Sequence, residues 1–179
     1  MRSFAGGACI ALLCGLLTAC TPAKTVEAVS KMSKIAMNPD MPIGEPKDQP
    51  SKATITLYED PGVNRNADGQ TAPVDVWVFQ LSDDGKLMTS DFMSLSQDPK
   101  ATLGTSYVSH KEKQVAPGQS EILSTWELDK ETSFIGVAVG YQAIDMVNWR
   151  TAEKVNATGE NYNILIPIRA KGVSVQVHR

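Results

Sequence analysis

The run Ile135-Gly136-Val137-Ala138-Val139-Gly140-Tyr141 puts four bulky apolar side chains on one side of an extended chain and only Gly or Ala on the other. Period-two spacing is that of a strand, because successive side chains of an extended backbone point to opposite faces. The bare opposite face lets bulky neighbours come close. The run therefore predicts a central strand.

The same alternation recurs outward from it. Ile55 and Leu57 alternate with Thr54, Thr56 and Tyr58, and Val74, Val76 and Val78 with Asp75, Trp77 and Phe79. Val173, Val175 and Val177 alternate with Ser174, Gln176 and His178. Residues 121–126 and 162–168 complete the clear strands, with weaker ones at 110–115 and 150–155. Most connections are a few residues long, such as Pro117-Gly118 and Lys171-Gly172, too short for parallel crossovers. The pattern predicts an all-β fold: a two-sheet, mainly antiparallel sandwich of about eight strands. One insertion, Thr89 to Leu103, carries Phe92, Leu95 and Leu103 among polar residues, with Ser90 or Asp91 as N-cap. It reads as a small helical insertion, one or two short helices packed on the sandwich edge.

Upstream the character changes twice. Residues 20–51 hold Pro22, Pro39, Pro42, Pro46 and Pro50 and read as a spacer, with Val26, Val29, Met32 and Ile35 spaced for a short helix over 25–36. Residues 1–19 begin with Arg2, continue through an apolar stretch from Phe4 to Leu17 and end in small residues, the pattern of a secretory signal peptide. The stretch falls short of the roughly 18–20 residues that span a bilayer. It closes on Leu17-Thr18-Ala19-Cys20, which resembles a bacterial lipobox with Cys20 as the lipidated residue. The organisation is thus signal peptide 1–19, lipid-anchored linker 20–51 and β-sandwich domain 52–179. Several acyl chains on Cys20 would hold the protein permanently at a membrane. Thr21, where such lipoproteins carry Asp when retained at the inner membrane, implies the outer membrane, facing the periplasm.

Composition narrows the function. The 179 residues carry 17 Lys and Arg against 20 Asp and Glu, a net charge of −3, so no basic face for nucleic acid is expected. Cys9, Cys14 and Cys20 all fall in the first twenty positions, and His110 and His178 lie far apart, which leaves no zinc spacing or disulfide framework. No nucleophile elbow, metalloprotease helix or phosphate loop occurs, so neither enzyme activity nor a cofactor is expected. The carboxylate pairs Asp83-Asp84 and Glu59-Asp60 read as solvated turn residues. Trp77, Trp126 and Trp149 read as core. One loop, Asn64-Arg65-Asn66-Ala67-Asp68-Gly69, has oxygen side chains at alternate positions and Asp75 at the twelfth, like half a calcium loop. Its first residue is Asn, its twelfth lacks the reach of Glu, Pro73 intervenes, and strands flank it. A polar turn is the simpler reading and no metal is assigned. A lipid-anchored periplasmic module binding a small ligand or calcium stays open as the alternative function.

The order of these features resembles a known family. Lipobox, spacer, strand, a polar loop with Asn64 and Gly69, Ala72-Pro73 opening a strand that ends Phe79-Gln80-Leu81, an Asp91-Phe92 and Leu95 insertion, Pro117-Gly118, Gly136-Val137 and Trp149-Arg150 together resemble the type VI secretion outer-membrane lipoproteins, the TssJ (SciN or VasD) family. The resemblance spans roughly residues 50 to 155. Gly69-Gln70 departs from the family's usual Gly-Arg. The resemblance implies a transthyretin-like sandwich and a structural role, in which the lipoprotein binds the periplasmic C-terminal domain of TssM, an inner-membrane protein. It also implies that the loop joining the first two strands, Asp60 to Thr71 here, is central to that contact, which assigns Asp60, Val63, Asn64, Arg65, Asn66, Asp68, Gly69 and Gln70 to the partner.

A geometric argument reaches the same pole. If strands alternate in direction and the helical insertion returns the chain to the end it left, connections 60–71, 116–119 and 144–149 all emerge together. Pro117 and Gly118 then join the candidate surface, as do Ile144, Asp145, Met146 and Val147, an unusually apolar turn rimmed by polar residues. The competing placement has Ile144 and Val147 folded back onto the core.

Overall fold

The computed structural model of the chain describes residues 45–66 and 68–179. The signal sequence, Cys20 and the 25–36 periodicity lie outside the described residues. Among the described residues nine strands follow in order: β1 (Lys52–Glu59), β2 (Val74–Leu81), β3 (Tyr107–Val115), β4 (Ser120–Glu127), β5 (Phe134–Val139), β6 (Arg150–Lys154), β7 (Asn161–Arg169), β8 (Gly172–Val173) and β9 (Gln176–His178). They form the expected sandwich. One sheet runs β4-β1-β7-β8, with β9 also on β7, and the other runs β3-β2-β5-β6.

Every pair is antiparallel except β1 with β7, which lie parallel from Lys52 opposite Asn161 to Glu59 opposite Ile168. Alternation tells which face a residue takes but not which strand lies beside it, so this long-range pair left no local signal. The expected strand at 173–177 is cut in two. Its register against β7 is continuous across the cut, and the missing pairs fall opposite Ile166 and Pro167. Pro167 has no N–H to give to a ladder, which accounts for the break at Ser174 and Val175.

Between the sheets sits the main core: Ile55 and Leu57 of β1, Val74, Val76 and Val78 of β2, Ile135, Val137 and Val139 of β5, and Tyr162, Ile164, Ile166 and Ile168 of β7. The insertion is placed differently from expectation. It forms three short helices, α1 (Gly85–Thr89), α2 (Phe92–Gln97) and α3 (Pro99–Leu103), which cover the outer face of the second sheet and not its edge. The reason lies in β2, whose residues Trp77, Phe79 and Leu81 are apolar on the face turned away from the sandwich. A sheet apolar on both faces must be covered twice. Each helix contributes one buried leucine to that layer: Leu87, Leu95 and Leu103.

Aspartates punctuate the helices. The Asp91 carboxylate accepts the Ser94 N–H at 2.9 Å and that of Asp98 accepts the Ala101 N–H at 2.9 Å. The Ser94 amide holds the Asp91 carboxyl below its ordinary pKa. On β5 the small face meets the helical layer as its sequence required. A Cβ on Gly136 would stand 2.6 Å from Leu87 Cδ2 and 2.7 Å from Leu81 Cδ1.

The two sheets are tied along both sides. On one, Lys113 pairs with Glu121 at 3.2 Å, and Lys111 donates to the Ser124 carbonyl at 3.1 Å while lying over the Trp126 ring. On the other, the Val173 N–H donates to the Asn148 carbonyl at 2.9 Å and the Asn148 N–H to the Lys171 carbonyl at 3.1 Å. That approach requires Gly172, whose φ of +138° and missing Cβ leave room for the Asn148 backbone. Among the described residues, no helix is long and apolar enough to cross a membrane.

Candidate functional site

At the end of β1 the chain turns into the first loop, residues 60–73, which folds over the open end of the sandwich. The Asp60 N–H donates to the Ile168 carbonyl and the Val63 N–H back to the Asp60 carbonyl. Val63 drops into the main core. Asn64 then takes a left-handed conformation at φ +56°, a region Asn tolerates better than most residues. Its side-chain amide donates to the carbonyls of Ala72 at 3.2 Å and Pro73 at 3.1 Å, closing the loop's neck.

Beyond the neck the loop is braced from within. Arg65 pairs with Thr71 across an isolated bridge, and its guanidinium donates to the Gly69 carbonyl at 2.6 Å. The Asn66 side-chain oxygen accepts the N–H groups of Asp68 at 3.0 Å and Gln70 at 2.8 Å. The result is a tongue with Asp68, Gly69 and Gln70 exposed near its tip.

The other two loops meet it at the same pole. The Glu59 N–H donates to the Gln119 carbonyl at 3.1 Å, and Gly118 packs beside Pro61 in the turn that also holds Pro117. The Gln142 N–H donates to the Asn64 side-chain oxygen at 2.7 Å. In the third loop, Asp145 and Met146 are exposed, Met146 by 87%, while Ile144 and Val147 are half-buried against the core. Of the apolar residues expected on this surface, Met146 alone presents itself fully. A 3-10 turn over Ile144–Met146 rolls Ile144 and Val147 inward, and Val63, also assigned to the partner, is instead buried in the core because the loop folds it between the sheets. Between the first and third loops lies a cavity of about 180 Å³ lined by Val63, Asn64, Arg65, Tyr141 and Val147 among others.

Sequence reasoning missed the floor of this pole. Tyr141 leaves β5 and sends its hydroxyl to the Arg169 carbonyl at 3.1 Å, bridging the two sheets, and burial pushes its pKa up. Arg169 lies 3.8 Å from the Asp60 carboxylate. Glu59, expected as a solvated turn residue, is 0% exposed, and neither of its carboxyl oxygens has a hydrogen-bond partner. Burial raises its pKa to about 7. A signal was available in the inward register of β1, which runs Ala53, Ile55, Leu57, Glu59.

Three of the side chains in the half calcium loop turn oxygens to the chain's own donors. Asn64 and Asn66 hold backbone N–H groups as described, and Asp75 accepts from the Gln114 side chain at 2.9 Å. Among the described residues, no group of three or more His, Cys, Asp or Glu could hold a metal ion. His110 takes an ordinary strand role, its Nδ1 2.8 Å from the Tyr107 hydroxyl. Trp77 is buried, and Trp126 and Trp149 pack against core residues, as read from sequence. What the pole offers is a braced polar tongue beside an exposed methionine.

Comparison with known proteins places the molecule. The T6SS-SciN family, described as type VI secretion lipoprotein, VasD, EvfM and TssJ, matches residues 51–179. No match was found among curated proteins. The T6SS lipoprotein TssJ1 of Pseudomonas aeruginosa is 25% identical with a TM-score of 0.67, over 73% of this chain and 98% of that one. Lip of Serratia marcescens, a membrane-bound component of the type VI secretion system, is 25% identical with a TM-score of 0.64, over 70% of this chain and 96% of that one. A chain of a type VI membrane complex, 20% identical, shares the fold with a TM-score of 0.60 over 72% of this chain and 99% of that one. By sequence and by fold alike, the chain belongs to the TssJ family of type VI secretion lipoproteins.

Proposed function

We propose that this lipoprotein is a structural component of a type VI secretion membrane complex. Cys20 tethers it to the periplasmic face of the outer membrane, and its loop pole docks on the periplasmic C-terminal domain of TssM. One relationship carries the reading: the chain enters the sandwich at the end opposite the gathered loops. Pro50 bridges to Thr158, and the Ser51 N–H donates to the Ala157 carbonyl, at the start of β1. The first loop leaves from the other end of β1, eight residues or about 26 Å away. A tether at one pole leaves the other free to face a partner across the periplasm.

Deletion of residues 63–69 tests the docking step. Capture of a TssM periplasmic fragment is expected to be lost while the sandwich still melts cooperatively. Unchanged capture would remove the loop from the mechanism. Cys20→Ser tests the tether separately, since release of the protein into the soluble periplasmic fraction is expected, and continued membrane association counts against the anchor.

A further inference from the structure

The one buried acid of the inner sheet faces has no place in a purely structural pole. Ala53, Ile55, Leu57 and Glu59 occupy successive inward positions of β1, and all are 0% exposed. Glu59 alone brings a carboxyl into that row, and both of its oxygens lack a hydrogen-bond partner. The charged and polar groups of the elements around β1 are committed to other partners. Arg169 at the end of β7 turns its guanidinium to Asp60. Tyr141, after β5, gives its hydroxyl to the Arg169 carbonyl. In the loop above, Arg65 is bonded to the Gly69 carbonyl. Lys113 of β3 pairs with Glu121 of β4, and the Gln114 side chain of β3 donates to Asp75 of β2. An ionised carboxylate there would be buried without a partner, which is costly, whereas its protonated form is tolerated.

Directly after Glu59 comes the first loop. It buries Val63 and is latched by Asn64 to Gln142. We propose that Glu59 is a proton-linked catch beneath the docking loop: protonated, it lets the loop close over the pole, and ionised, it drives the loop open. The inference rests on the docking reading only for its consequence, that the closed pole is the form that captures the partner. The sign follows from linkage. In the open, solvated state the carboxyl titrates near its ordinary 4.5, and in the closed state near 7. Closure is therefore fully favoured below the lower value and weakens as pH rises between the two.

The test is amide hydrogen exchange of the first loop in the isolated protein at pH 5.5 and 8.5, corrected for intrinsic rates, in wild type, Glu59→Gln and Glu59→Leu. Protection of the loop in wild type is expected to fall at least about tenfold at the higher pH. Neither variant titrates, so neither should show that fall, and Glu59→Leu extends the row of Ile55 and Leu57 should the amide not be tolerated. An equal pH response in all three proteins overturns the catch, as does loop protection in wild type that ignores pH. Capture of a TssM fragment, measured in parallel, is expected to weaken at pH 8.5 in wild type only. If protection responds to pH and capture does not, the link to docking falls.

Discussion

Asn64 and Gln142 stand 78 residues apart in the chain and 2.7 Å apart in space, the side-chain oxygen of the first accepting the backbone N–H of the second. This bond joins the first loop to the third. It also makes Asn64 the corner of the pole, since the other side of the same amide closes the neck of the tongue on Ala72 and Pro73. Replacing it separates two effects. Asn64→Ala removes all three bonds and forces an L side chain with no local hydrogen bond into a positive φ, at an expected cost of about 1–3 kcal/mol by urea unfolding. Asn64→Gly removes the same bonds but relieves the backbone, so it should cost less. Both should weaken capture of a TssM fragment to a similar extent. Capture that tracks stability, and not the lost bonds, would show that the corner does no positioning.

Met146 tests the surface without touching the core. At 87% exposed it contributes nothing measurable to packing, so Met146→Asp should leave the unfolding free energy within about 0.5 kcal/mol of wild type. An apolar contact replaced by a charge should lower fragment affinity about tenfold or more if the third loop lies in the interface. Titration calorimetry with the TssM fragment reads this directly, and unchanged affinity would confine docking to the tongue.

How much of this was legible in the chain depends on what each signal encodes. Side-chain alternation reports a face, so the buried rows of β1, β2 and β5 were readable, as was the bare side of β5 that receives Leu81 and Leu87. Partner choice is set by long-range contacts, which is why the parallel lie of β1 on β7 was not. Apolar residues on both faces of β2 were visible, and Trp77 was read as core, yet the helices were expected at an edge, because the alternation of β2 was used to assign one buried face and not two. Glu59 was misplaced for a related reason. Residue type suggested solvent, register indicated the interior, and register decided the outcome because the strand continues to its last residue. Ile144 and Val147 turned on a single short 3-10 turn, which composition alone does not specify.

Gln80 provides a control at the pole where the chain enters. It is 1% exposed and its amide is fully used: Nε2 donates to the Glu127 carbonyl at 3.0 Å, and Oε1 accepts from the Asp129 N–H at 2.8 Å and the Thr132 hydroxyl at 2.7 Å. Gln80→Leu keeps most of the volume but leaves a buried hydroxyl and two backbone groups without partners. A loss of about 2–4 kcal/mol in unfolding free energy is expected. Fragment capture by the folded protein should not change, because the pin lies at the far end of β2 from the tongue. Weakened capture at full folding would argue that the two poles are coupled through the sheet.

The helical layer can be tested against the face it covers by a double-mutant cycle. Gly136→Ala places a methyl group where Leu87 Cδ2 and Leu81 Cδ1 already stand, so the single change should cost about 1–3 kcal/mol through overpacking. Leu87→Ala empties a fully buried site between α1 and the sheet and should cost about 2–5 kcal/mol through the cavity. Together, the new methyl fills part of the space the leucine left, so the double variant should be more stable than the sum of the two losses predicts, by about 1 kcal/mol or more. Urea unfolding of the four proteins measures the coupling. Simple additivity would mean that α1 does not rest on Gly136, and the explanation for the small face of β5 would have to be found elsewhere.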